Sequence, residues 1–380
     1  MPPRTTAPRG ILLEGDLQTP ATSPSHLASQ RRAQSKGAHS KRAQPKHARP
    51  KRARRLRRAL ACAVTITGVL LTTAGTGHAD PYAAPPAVPS MAPSTLDARF
   101  DIERQAIEQA LETAHSVGDR ERAKALGALL QPGRRFLYFD PRGRGRAIEV
   151  VGDLTRARRV AVVVPGADST LSDFDSKSGK PWSAPGGGAR AVYEHARKIN
   201  PEPGLAVVAW LGYAAPRTFS SDVLTDERAG QGAAELRTFL AGLNRVNRTA
   251  KVGLLCHSYG SVVCGRAAMA GAGPAREGWR QVTDIALFGS PGTTAWSAGR
   301  LSRTARIWAG RGATDWMEDV PHVRIFGLGL GPDPVSARFG ARVFDAGGGG
   351  HSDYLAPDSR SLSNLTYIAM GDPAHVTKPA

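Results

Sequence analysis

From Val252 to Cys264 the chain reads Val-Gly-Leu-Leu-Cys-His-Ser-Tyr-Gly-Ser-Val-Val-Cys. An apolar run leads into Ser258, Gly260 follows two positions later, and Val262, Val263 and Ala267 continue in a small-residue helical pattern. A tight strand-to-helix turn of this kind lifts a serine hydroxyl out above a sheet and needs small neighbours around it, which is the setting of a nucleophilic serine. Cys256 stands where the usual first glycine would be and is compact enough to fit. The competing reading is a Ser-x-Gly turn without chemistry; the strand before it and the helix after it weigh against that. Ala295-Trp296-Ser297-Ala298-Gly299 has similar spacing, but no apolar strand leads into it.

A serine nucleophile needs a base for its proton and donors for the oxyanion. In the strand-turn-helix arrangement the acid and then the histidine follow the serine along the chain, and one oxyanion amide comes from the loop after an early strand. Val160 to Val164 runs into Pro165-Gly166-Ala167-Asp168-Ser169, so the amides of Ala167 and Tyr259 are the expected oxyanion donors. Val343-Phe344-Asp345 is followed by four glycines and His351, which makes His351 the expected base on a mobile glycine loop. His257 adjoins the serine, and its ring should point away from the hydroxyl; His322 is the next candidate should His351 fail.

The acid belongs after the strand that precedes the histidine strand, here Arg306-Ile307-Trp308-Ala309. Asp315, Glu318 and Asp319 follow it. Asp315 is the expected acid, with a helix cap as its competing role, while Asp319 before Val320-Pro321 more naturally closes a turn. Asp284 precedes its own strand and belongs at the opposite sheet edge. Asp353 lies too near His351 in sequence to reach the imidazole from behind.

These residues need a scaffold. Phe136 to Phe139, Ala147 to Val151, Val160 to Val164, Leu205 to Leu211, Val252 to Cys256, Ile285 to Phe288, Ile307 to Ala309 and Val343-Phe344 are short apolar runs separated by Gly, Pro and Asp. Runs without polar alternation are strands covered on both faces. Helical patterns at Ala189 to Ile199, Glu227 to Leu243 and Gly260 to Ala270 lie between them. That rhythm predicts an α/β fold with a mostly parallel central sheet flanked by helices. Two helices should precede it within 96–132, the first capped by Thr95 and the second from about Asp119 to Leu130. The sheet domain then occupies 133–380. Gly143-Arg144-Gly145 reads as a hairpin turn, since no helix follows it to make a phosphate loop.

Val163-Val164-Pro165-Gly166, Ala209-Trp210-Leu211-Gly212-Tyr213, Cys256 to Ser261, Phe288-Gly289-Ser290-Pro291-Gly292 and Gly350-His351-Ser352-Asp353-Tyr354 occur in this order. Together they resemble an actinobacterial α/β-hydrolase family of unassigned substrate, over roughly Arg134 to Met370. The resemblance implies the α/β-hydrolase fold and a serine-hydrolase role for Ser258, and names no substrate. In that fold a lid is commonly inserted between the sixth and seventh strands. Only 289–305 are available here, so no sizeable lid domain and a shallow, open site are expected.

Charge is concentrated at one end. Of 51 Lys and Arg, 15 fall within residues 1–58 beside Glu14 and Asp16, leaving 36 basic against 30 acidic groups in the rest. The overall charge of +19 therefore describes a tail, and nucleic-acid binding is not expected of the mature protein. Residues 1–58 are too poor in large apolar side chains to fold alone. Arg54-Arg55-Leu56-Arg57-Arg58, the apolar run from Ala59 to Gly75 and Gly77-His78-Ala79 form the pattern of a secretory signal peptide over 59–79, with cleavage after Ala79. A Pro/Ala-rich flexible linker, 80–95, follows. Cys62, Cys256 and Cys264 have no metal spacing, and Cys256 and Cys264 are expected to be buried free thiols. The aromatic residues Trp210, Tyr213, Trp296 and Trp316 suit either an acyl pocket or core packing.

The resulting expectation is a protein of the cell envelope or medium, with no transmembrane segment after processing, that cleaves a small-molecule or lipid-like carboxylic ester. Neither cofactor nor metal is needed. The alternative is a catalytically silent hydrolase fold that binds at the envelope. The sequence carries no signal for oligomeric state.

Overall fold

The apolar runs form eight strands: β1 (Arg135–Asp140), β2 (Arg146–Val151), β3 (Arg159–Val164), β4 (Leu205–Leu211), β5 (Lys251–His257), β6 (Val282–Phe288), β7 (Arg306–Gly310) and β8 (Arg342–Val343). The computed structural model describes residues 80–270, 276–320, 322 and 329–379, and not the side chains of residues 224, 276 and 277. The basic tail (1–58) and the apolar segment 59–79 lie outside the described residues.

The strands join one sheet in the order β1-β2-β4-β3-β5-β6-β7-β8. β2 is antiparallel to both its neighbours, and every pair from β4 onward is parallel. One face is covered by α1 (Leu96–Ser116), α2 (Arg120–Leu129), α3 (Pro185–Ile199) and α8 (Arg360–Met370), the other by α4 (Glu227–Val246) and α5 (Gly260–Met269), with the short α6 (Arg276–Trp279) against α4. Leu205–Leu211 is buried along its whole length, as expected of a strand sandwiched between two helical layers. Gly143 and Gly145 turn the chain between β1 and β2, which pair antiparallel as a hairpin.

Register then assembles the site. Val164 pairs with Cys256, His257 with Phe288, and Phe288 with Gly310. The loops beginning at Pro165, Ser258, Gly289 and Arg311 therefore leave the sheet side by side along one edge. Open parallel sheets bind ligands at such carboxyl ends. The 289–305 connection holds only the four-residue helix α7 (Ala298–Leu301), so no lid domain is inserted there. A partly buried ion network ties the start of β1 to β2, to the loop after β3 and to α3. Arg134 pairs with Glu149 and Asp175, each at 2.6 Å, and Arg190 reaches Asp175 at 2.6 Å. Burial alone would raise the Asp175 pKa, but the two guanidinium groups hold it below the usual carboxylate range.

Four expectations change. Segment 80–95 is docked rather than free: Tyr82 and Met91 are buried, Tyr82 Oη donates to Asp119, and Asp80 accepts the Gly143 N–H. Thr95 precedes α1 but makes no side-chain cap; its hydroxyl turns back to the carbonyl of Ser90 at 2.6 Å. The glycine segment 347–350 is tethered, with Gly347 O accepting from Ala313 N and Gly348 O from Thr314 Oγ1.

The fourth correction concerns the thiols. Cys256 and Cys264 form a disulfide across a Cα–Cα distance of 6.5 Å, inside the range that a bridge can span. β5 and α5 turn back on each other around Ser258, which brings the two residues together. Closing so short a loop stabilises by about 2–3 kcal/mol in the chain-entropy view. Cys264→Ala is accordingly expected to lower the melting temperature by roughly 5–10 °C, read by calorimetry under non-reducing conditions. An unchanged melting temperature would show that the bridge contributes nothing to the fold.

Candidate active site

Ser258 sits between the end of β5 and the start of α5 at φ 52°. This left-handed conformation is unfavourable for a residue with a Cβ. It persists because both sides are fixed: Ser258 N donates to Phe288 O at 3.0 Å and Ser258 O accepts from Ser261 N at 2.9 Å. Two glycines allow close approach. A Cβ on Gly260 would stand 2.4 Å from Val164 O, and one on Gly166 would stand 2.5 Å from Ser258 Cβ. The loop after β3 thus lies directly against the serine.

The structure brings Ser258, His351 and Asp315 together. His351 Nε2 is 2.9 Å from Ser258 Oγ, and Nδ1 lies 2.9 and 3.1 Å from the two carboxylate oxygens of Asp315. A carboxylate only accepts, so Nδ1 carries the proton and Nε2 is free to accept from the serine hydroxyl. Asp315 is 3% exposed. Burial pushes its pKa up, but hydrogen bonds from His351, Tyr354 and the Met317 N–H outweigh this and hold it below the usual carboxylate range. Asp315 also caps the 3-10 helix Trp316–Asp319 through Met317 N at 2.9 Å. The two roles set against each other in the sequence coexist, since one oxygen accepts from both donors.

The other candidates lie elsewhere. Asp319 ends that helix and is exposed. Asp284 is buried in a pairing with Arg159, Arg306 and Trp308 Nε1. Asp353 pairs with Lys180, and His322 meets the Ser290 carbonyl. The amides of Ala167 and Tyr259 are not used by any protein acceptor among the described residues. Tyr259 is held through its phenol, which donates to Thr225 O at 2.8 Å and accepts from Ala229 N.

Several contributors could not be singled out by residue type. Tyr354 Oη donates to Asp315 Oδ2 at 2.5 Å and accepts from Gly312 N at 3.0 Å. Burial and the adjoining carboxylate push its phenol far up, so it remains a donor. His257 lies behind the base. Burial drives its pKa down to about 3, so the ring is neutral, and Nε2–H donates to the His351 carbonyl at 2.8 Å. Gly289, at φ 55°, leaves room for the pair: a Cβ there would stand 3.0 Å from Asp315 Oδ2 and 3.1 Å from His351 Nδ1. The Gly289 signal was visible as a glycine directly after a strand. The aromatics divide, with Trp210 and Tyr213 stacked in the core and Trp296 and Trp316 exposed. Trp316 packs its ring 4.8 Å from that of His351.

Residues 140–325 match a family model described as an alpha/beta hydrolase. An uncharacterized protein of Mycobacterium tuberculosis is 30% identical over 274 residues, 63% of this chain and 40% of that protein. An uncharacterized protein of Mycobacterium bovis is 31% identical over 175 residues, 45% of this chain and 62% of that protein. The chain thus spans less than two thirds of the length of either relative. Among solved structures, an esterase from Mycobacterium marinum is similar at 16% identity and a TM-score of 0.37, over 74% of this chain and 96% of that one. With its mostly parallel eight-stranded sheet flanked by helices, the chain has the α/β-hydrolase fold.

Proposed function

We propose that the protein is a secreted serine hydrolase that cleaves carboxylic esters through an acyl-enzyme. The observation that carries this reading is the hydrogen-bonded chain from Ser258 Oγ through His351 to Asp315, anchored on a serine at positive φ. His351 Nε2 takes the hydroxyl proton as Ser258 Oγ attacks the ester carbonyl carbon. The carbonyl oxygen becomes an oxyanion, met by the amides of Ala167 and Tyr259. Collapse of the tetrahedral adduct breaks the bond to the alcohol oxygen, which receives the proton from His351. Water repeats the sequence on the acyl-enzyme and releases the acid.

A panel of soluble and lipid-like esters, combined with a fluorophosphonate probe, tests this on the purified protein. Labelling at Ser258 together with turnover of some ester supports it; absence of both leaves the silent envelope-binding fold.

Export is supported by the basic and apolar flank ending at Gly77-His78-Ala79, and by a disulfide that suits an oxidising compartment. Among the described residues no helix is long and apolar enough to cross a membrane. N-terminal sequencing of the protein recovered from medium or envelope is expected to begin at or near Asp80. An intact Met1 chain recovered from the cytoplasm would falsify export.

A further inference from the structure

Three consecutive carbonyls in the loop after β3 are each held by a side chain. The Tyr213 hydroxyl donates to Pro165 O at 2.8 Å, the Ser169 hydroxyl to Gly166 O at 3.0 Å, and the Lys177 ammonium to Ala167 O at 3.3 Å. Asp168, which follows, is at φ 58°. Its N–H donates to Pro216 O at 2.9 Å, and its carboxylate accepts from the N–H and hydroxyl of Thr218. The three peptide planes from Pro165 to Asp168 are thereby each fixed by a partner outside the plane itself.

The middle bond has a particular consequence. In a trans peptide the C=O and N–H point in opposite directions. Gly166 O and Ala167 N belong to one peptide unit, so the hydroxyl that holds the carbonyl sets the line along which the amide points. Hydrogen bonding at the carbonyl also polarises the unit and strengthens its N–H as a donor. The Ala167 N–H is unused by protein acceptors among the described residues, and Gly166 packs against Ser258. By contrast, the next amide, Asp168 N–H, is committed to Pro216. The unit held by Ser169 thus carries, at Ala167, an uncommitted N–H in the loop that packs against the serine.

We infer that Ser169 is a positioning residue of the oxyanion site: its buried hydroxyl, by anchoring Gly166 O, aims and strengthens the Ala167 N–H. The inference rests on the serine-hydrolase reading and adds a determinant of transition-state binding that never touches the substrate. A side chain serving only to close the turn would contribute to stability and leave the chemistry of the folded protein alone.

Ser169→Ala and Ser169→Thr are compared with the wild type by steady-state hydrolysis of a soluble chromogenic ester, inhibition by an alkyl boronic acid that forms a tetrahedral adduct on the serine, and thermal melting. Loss of a whole oxyanion donor costs on the order of 10²–10³ in kcat, so a misaimed donor should cost about ten- to a hundredfold. Ser169→Ala is expected to lose that factor in kcat with KM little changed, to bind the boronic acid more weakly by a similar factor, and to recover most of both as Ser169→Thr. Ser169→Cys keeps the side chain's shape while donating only weakly, and it gives the same comparison if the alanine variant does not fold. Wild-type kcat and boronate affinity in a folded alanine or cysteine variant would overturn the inference while the hydrolase reading stands. A wild-type protein that neither turns over an ester nor labels with fluorophosphonate would overturn both.

Discussion

Ester turnover is expected to fall by on the order of 10⁴ to 10⁶ when Ser258 is replaced by alanine, and by a comparable factor for His351→Ala, because residues that act as one unit fail as one unit. The geometry explains why neither loss should be partial. His351 Nε2 lies 2.9 Å from Ser258 Oγ, and His257, the nearest other imidazole, is neutral and committed to the His351 carbonyl. No second base among the described residues hydrogen-bonds to the hydroxyl. The fold should survive Ser258→Ala, since alanine occupies φ 52° about as poorly as serine does and the backbone bonds to Phe288 and Ser261 remain. Kinetics on the best ester of the panel, with circular dichroism on each variant, makes the comparison. Near-normal turnover in a folded His351→Ala protein would require another base, and His322 would be the first to test.

The sheet was legible in the sequence because its central strands are buried on both faces. Val160 to Val164 and Leu205 to Leu211 could be read without knowing what covers them, since a continuous apolar run has few other uses at that length. Ser258, His351 and Asp315 were legible for a related reason: each directly follows, or lies one short loop beyond, such a run, so strand order alone limits where its side chain can arrive. Tyr354, Ser169 and Tyr213 were quoted in motifs, but their roles depend on which carbonyl or carboxylate another loop presents. That is a property of strand register, such as Val164 opposite Cys256, and register is not encoded in the local composition. The docking of 80–95 was missed because composition reports how a segment behaves alone; Met91 is buried against Gly242 of α4, about 150 residues away in sequence. The disulfide was missed because eight residues of separation become a Cα distance only when the turn is known.

Asp315→Asn separates orientation from packing, because the amide keeps the carboxylate's shape while replacing one of its two acceptor oxygens with a donor. Asp315 accepts from His351 Nδ1, Tyr354 Oη and Met317 N. An asparagine must turn its NH₂ toward one of these donors. Keeping Oδ1 on Met317 N places the NH₂ against Tyr354 Oη and shares one oxygen between the backbone and the imidazole. The opposite flip sets the NH₂ against His351, which favours the tautomer with the proton on Nε2 facing Ser258. Turnover is expected to drop on the order of 10³–10⁴ with KM changed little, since the carboxylate acts mainly as the imidazolium forms. Tyr354→Phe should fall between this variant and the wild type, because it removes one donor to the carboxylate and leaves the other two. Asp319→Asn, at an exposed helix end, should stay close to the wild type. Stability carries a matching signature. The folded-state pKa of Asp315 lies below the ordinary carboxylate value, so its contribution is present above that ordinary value and is lost as the pH falls through the depressed one. The gap in unfolding free energy between the wild type and Asp315→Asn should therefore narrow on acidification, as followed by urea titrations from neutral pH downward. A gap that widened in acid would overturn the depressed carboxylate of Asp315, and near-normal turnover for Asp315→Asn beside a large loss for Asp319→Asn would move the orienting role to Asp319.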